Sequence, residues 1–108
     1  MERIRETAQV DQLLGGPGAI LFKHSTRCPI SAGAHREAEK FLARHPQANI
    51  YKVHVIEDRS VSNYIAERTG VRHASPQVIL LNAGSVQWHE SHYQITAEAL
   101  EGAIGDTR

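Results

Sequence analysis

The hydrophobic and polar positions of this chain change period several times, and each change marks an element. Thr7 to Leu14 carries Val10, Leu13 and Leu14 at helical spacing, and Gly15-Gly16-Pro17-Gly18 stops it. Ala19 to His24 opens with a short apolar run that reads as a buried strand. From Pro29 to Ala43 the period returns to helical: Ile30, Ala34, Ala38, Phe41 and Leu42 form one stripe, with Arg36, Glu37, Glu39 and Lys40 mostly off it. Ile50 to Val55 alternates with a period of two, as a strand does. Asp58 or Ser60 is placed to cap a helix running to about Thr69, built on Val61, Tyr64, Ile65 and Ala66 and ended by Gly70.

The second half is shorter in rhythm. Val78 to Leu81 is an apolar strand, Asn82-Ala83-Gly84-Ser85 is turn chemistry, and Val86 to His89 alternates again. Two strands joined by so short a turn predict an antiparallel hairpin. A final helix is expected from Thr96, with Leu100 and Ile104 toward the core. The order is thus helix, strand, helix, strand, helix, strand, strand, helix. It predicts an α/β fold: a central mixed sheet with parallel members, a C-terminal antiparallel hairpin at one edge and helices on both faces.

Composition narrows the function. A chain of 108 residues is expected to form a single domain over residues 1–108. Twelve basic and twelve acidic residues cancel, which removes a general attraction to nucleic acid or to an anionic membrane. The longest apolar runs, Ala19 to Phe22 and Val78 to Leu81, are strand-sized and far from the ~20 residues of a membrane span. The charged start Met1-Glu2-Arg3-Ile4-Arg5-Glu6 does not look like a signal peptide, and a single cysteine offers no disulfide framework, so a cytoplasmic location is expected. The histidines fall at 24, 35, 45, 54, 73, 89 and 92, with no i, i+4 pair, and no metal site is expected.

That one cysteine, Cys28, sits where the first strand pattern gives way to a helix, in Phe22-Lys23-His24-Ser25-Thr26-Arg27-Cys28-Pro29-Ile30-Ser31. Free cysteines are often small buried hydrophobes. Pro29 at a helix start and the polar residues upstream point instead to an exposed loop. At a helix N-terminus, unpaired N–H groups and the helix dipole stabilise a thiolate and can bring a cysteine pKa from about 8.5 to roughly 3.5–7.5. Arg27 adds positive charge, and Ser31, one turn on, is expected to donate its hydroxyl to the thiolate. His24 could tune the sulfur electrostatically, although a neutral histidine is the simpler reading. Trp88 is expected to pack under the sheet or over its edge.

This order of elements, with Cys28 after the first strand of a βαβ unit and Ser75-Pro76 before the hairpin, resembles the thioredoxin-like fold over nearly the whole chain. In that fold a nucleophilic cysteine opens the helix and a cis proline lies beside it, which the resemblance transfers to Cys28 and Pro76. The family's Cys-x-x-Cys window reads Cys28-Pro29-Ile30-Ser31 here, so no internal resolving sulfur exists. The string Lys23-His24-Ser25-Thr26-Arg27-Cys28-Pro29-Ile30-Ser31 is similar to that of the monothiol bacilliredoxins of the bacillithiol system.

The resemblance implies a thiol-disulfide oxidoreductase with no bound cofactor. Bacillithiol would serve as a co-substrate removed from S-thiolated client proteins. Cys28 would be catalytic, supported by Arg27, Pro29 and Ser31. The carboxylates of bacillithiol would need cationic partners, for which Lys23, Arg27 and Arg72 are candidates, while the backbone of Ser75 beside Pro76 would pair along the ligand. Arg72 and His73 are otherwise expected to be surface residues. Two other readings stay open: a non-enzymatic adaptor of the same fold, and a glutathione-using monothiol redoxin, which usually carries Cys-Gly-Phe-Ser.

Overall fold

The computed structural model describes residues 1–105, and in it every predicted helix and strand is present. They run β1 Glu2–Arg3, α1 Thr7–Gly15, β2 Ala19–His24, α2 Pro29–Arg44, β3 Ile50–His54, α3 Arg59–Thr69, β4 Gln77–Asn82, β5 Ser85–Ser91 and α4 Ala97–Gly105. A 3-10 turn, His92–Gln94, lies between β5 and α4. The five strands form one sheet in the order β1-β3-β2-β4-β5. Strands β1, β3 and β2 are parallel, β4 runs antiparallel to β2, and β5 antiparallel to β4.

Strand alternation sends the side chains of β2 to two cores. Ile20 and Phe22 pack with Ala34, Ala38 and Phe41 of α2 and with Leu100 and Ala103 of α4. Leu21 faces the other way, against Val10 and Leu14 of α1 and Val61 and Ile65 of α3. Phe22, Phe41, Leu21 and Ile65 are fully buried, and each such side chain contributes about 1.5–3 kcal/mol by leaving water. Trp88 is partly buried against the α2/α4 core, as expected of an edge-covering residue.

The turns follow local chemistry. Ala83 and Gly84 both have positive φ in the two-residue β4–β5 turn, the twist that hairpins prefer. Gly70 ends α3 in the left-handed conformation, with its N–H on Ala66 O at 3.0 Å. Thr96 Oγ1 accepts the Ala99 N–H at 3.0 Å and so opens α4 where the sequence reading placed it.

Two features differ from the sequence reading. Glu2–Arg3 forms an edge strand, paired with Tyr51 and Lys52 of β3, where the hydrophobic pattern predicts no element. An edge strand needs only one row of backbone partners and no apolar run, so a polar dipeptide suffices. Ile4 next to it is buried and gives its N–H to Lys52 O at 2.8 Å. The hairpin is also longer than Val78–Leu81 and Val86–His89, because Gln77 pairs with Ser91.

Candidate active site

The parallel pairing of β2 with β3 ends both strands at one edge of the sheet, where His24 lies opposite His54. The antiparallel β4 begins at this same edge, with Gln77 opposite Lys23. Three loops therefore meet there: the one after β2 that carries Cys28, the one after β3, and the one before β4 that carries Pro76. Sequence-distant residues are gathered by topology alone.

Cys28 is the N-cap of α2, extended at φ −109° and ψ 122°, and Pro29 occupies the first helical position. Proline lacks an N–H that would be unpaired there in any case. The Cys28 carbonyl accepts the Ala32 N–H at 3.0 Å, and its own N–H reaches Ser25 O at 3.4 Å, closing a turn under the sulfur. Cys28 is half-buried and forms no disulfide. Arg27 is exposed, and its backbone N–H donates to Ser25 Oγ at 3.4 Å. The Ser75–Pro76 peptide is cis, as the resemblance implied, with Pro76 buried and Ser75 partly so. The Ser75 hydroxyl is buried without a hydrogen-bond partner among the described residues.

Ser31 departs from expectation. Its side chain is fully buried, and its hydroxyl oxygen accepts the Ser25 N–H at 2.9 Å and lies 2.8 Å from His24 Nδ1. It ties the start of α2 to the end of β2 and the loop after it, and makes no contact with the sulfur. No local pattern marks His24 as that partner, because the pair spans a strand end and a helix turn.

His24 itself stands in a group of rings. Its centroid is 4.8 Å from that of His35 and 5.9 Å from that of His54. Burial pushes its pKa down to about 4, and His35, His54 and Lys52 add to the effect, so the ring is neutral near pH 7. His35 and His54 are lowered too, in each case chiefly by burial. Among the described residues, no three His, Cys, Asp or Glu side chains converge as ligands for a metal ion.

Lys23 is the second departure. It points to the α3 side of the sheet and is entirely buried, where the sequence reading presented it to a ligand. Its ammonium donates to His73 Nδ1 at 3.1 Å, and Ser62 Oγ lies 3.3 Å from the same nitrogen. Burial lowers the Lys23 pKa to about 8. His73 is the exposed ring over this buried amine, its own pKa lowered by burial, Lys23 and Arg59. Arg72 is exposed in the same loop, and its carbonyl accepts Gln77 Nε2 at 3.0 Å.

Beyond the hairpin, His92 adopts a positive φ of 56° and gives its N–H to Pro76 O at 3.0 Å. A groove of about 300 Å³ runs beside the Cys28 helix, between Pro29, Ile30 and Gly33 on one bank and His92, Tyr93 and Ile95 on the other.

An α/β sheet with a half-buried cysteine at a helix start and a cis proline at the same edge defines a thioredoxin-fold protein with a single cysteine at its candidate site. Comparison with known proteins agrees. The chain matches the family model of the monothiol bacilliredoxin BrxC over residues 2–100, and it belongs to that family. Its structure is similar to that of a proposed oxidoreductase with a thioredoxin fold, at 32% identity and a TM-score of 0.89, covering 95% of this chain and 92% of the other. A Fasciola hepatica thioredoxin superposes with a TM-score of 0.79 at 14% identity over 100% of both chains. Mitochondrial thioredoxin 3 from Saccharomyces cerevisiae gives 0.77 at 19% identity, covering 98% and 94%. These last two share the fold; the family supports a thiol redox function.

Proposed function

We propose that this protein removes bacillithiol, or a similar small thiol, from protein mixed disulfides by thiol transfer through Cys28. The observation that carries the reading is a lone sulfur at the start of α2, with buried Ser31 three residues on where a dithiol enzyme would hold its second cysteine. The Cys28 thiolate attacks the small-thiol sulfur of the mixed disulfide. A new Cys28–S–S–R bond forms, the old disulfide breaks, and the client leaves as a thiolate that takes a proton from water. A second small-thiol anion then attacks the small-thiol sulfur of that bond, which forms R–S–S–R and releases Cys28 as the thiolate. The sulfur stands at the start of α2 with Arg27 beside it, and Ser75 beside cis Pro76 offers backbone to the bound thiol. No helix among the described residues is long and apolar enough to cross a membrane. The reaction belongs in a reducing compartment such as the cytoplasm.

The test is intact mass spectrometry of a bacillithiol-capped client protein mixed with this chain. The cap should move to Cys28 one to one, and Cys28→Ser should leave the client capped. Loss of the cap at equal rate with Cys28→Ser would show that the protein is not the thiol acceptor.

A further inference from the structure

Behind the active-site edge, on the α3 side, lies a hollow of about 380 Å³ lined by Val55, Ile56, Arg59, Ser62, Asn63 and His73. The segment that carries Val55 and Ile56 is tied to the end of β2 and to the loop that follows it. Val55 gives its N–H to His24 O at 3.0 Å, and Thr26 Oγ1 donates to Glu57 Oε2 at 3.4 Å. The hollow is cationic without a fixed counter-ion. No carboxylate among the described residues lies within ion-pair distance of Arg59 or of Lys23. The two neighbouring acids are engaged elsewhere: Asp58 with Arg3 at 2.9 Å, and Glu57 with Thr26 and His54.

Lys23 also sets the chemistry of His73. An ammonium can only donate, so the Nδ1 that it contacts is the acceptor, and the proton of the neutral ring sits on Nε2. His73 therefore offers an N–H to the surface, backed by a buried positive charge. Buried ammonium groups are ordinarily paired, and among the described residues no carboxylate pairs with this one.

We propose that this hollow is a carboxylate subsite that receives the acidic end of the small thiol while its sulfur is held at Cys28. Arg59 and His73 bind the carboxylate, Ser62 and Asn63 supply polar contacts, and Val55 with half-exposed Ile56 covers the ligand's carbon arm. This rests on the thiol-transfer reading and names the kind of thiol preferred: one with a carboxylate on a flexible arm.

The experiment uses a test protein capped with N-succinylcysteamine or with its neutral amide, which differ only in charge. The chain should remove the acid cap about three- to tenfold faster than the amide, a range set by one partly exposed charge-assisted contact. Arg59→Gln should bring the ratio near one, Arg59→Lys should restore much of it, and Arg68→Gln, at the far end of α3 beside Asp11, should leave it unchanged. Equal removal of both caps by the unaltered protein, or a ratio that survives Arg59→Gln, overturns the subsite and leaves thiol transfer standing. Removal of neither cap overturns the thiol-transfer reading and the subsite with it. A preference that appears only when an acidic residue flanks the capped cysteine on the test protein moves the carboxylate to the client and also overturns this assignment.

Discussion

The Ser31 hydroxyl lies 2.8 Å from His24 Nδ1 while its oxygen receives the Ser25 N–H at 2.9 Å. With His24 neutral, one arrangement satisfies all three groups: Ser31 donates to the ring and accepts from the backbone. The serine that stands where a dithiol enzyme has its second sulfur thus organises the loop below Cys28.

Removing that hydroxyl strands two polar groups. Ser31→Ala should lower stability by about 1–3 kcal/mol, the cost of leaving buried groups unpaired. Urea unfolding measures it, and an unchanged midpoint would mean that the hydroxyl organises nothing. Thiol transfer should slow in the variant without vanishing, because the sulfur itself is untouched.

Acid should weaken the fold through the histidine group. Position 24 titrates near 6.5 when unfolded and near 4 when folded, so between these values the unfolded chain binds more protons. Stability therefore falls as pH drops through that window, by at most about 1.4 kcal/mol per pH unit for each such proton. His35, His54 and His73 are shifted in the same direction and steepen the slope. Urea midpoints at pH 7 and pH 5 should separate clearly for the unaltered chain and less for His24→Gln. Equal separations would remove His24 from the account.

The helical stripe from Pro29 and the apolar runs at Ala19 and Val78 made the architecture legible, because burial imposes a period that local sequence carries. Cys28 was legible for the same reason, as it stands at a change of period. Lys23 was misplaced because alternation along a strand does not tell which loop covers its end: the answer, His73, lies fifty residues away. Arg59, Ser62 and Asn63 carried no local signal, since what matters is their placement beside His73. Edge strand Glu2–Arg3 was invisible because its pairing with β3 uses backbone only.

Glu37 joins the two helices on the Cys28 side. Its carboxylate accepts the Ala97 N–H at 2.9 Å, which holds the start of α4 against α2 and lowers the Glu37 pKa. Glu37→Ala should cost about 1 kcal/mol, as loss of a helix-capping acceptor does, while Glu37→Gln keeps an acceptor oxygen and should cost less. Hydrogen exchange at Ala97 reads the contact directly. Equal protection in both variants and the unaltered chain would show that α4 is held by packing alone.

Lys23 gives the opposite pH dependence at the alkaline end. Its pKa is about 10.5 unfolded and about 8 folded, so burying the charged amine opposes folding at neutral pH. As pH rises through 8 the folded chain releases this proton while the unfolded chain keeps it until about 10.5, and stability increases across that interval. Lys23→Met fills the same space without charge and should stabilise the protein at pH 7 by about 1–3 kcal/mol, in the range found when buried ions are replaced by apolar groups. Its advantage should shrink between pH 8 and pH 10 as the unaltered chain sheds its buried charge. Urea unfolding of both proteins across that range checks the sign. A Lys23→Met protein less stable at pH 7, with a gap that does not depend on pH, would mean that the bond to His73 outweighs the cost of burying the ammonium.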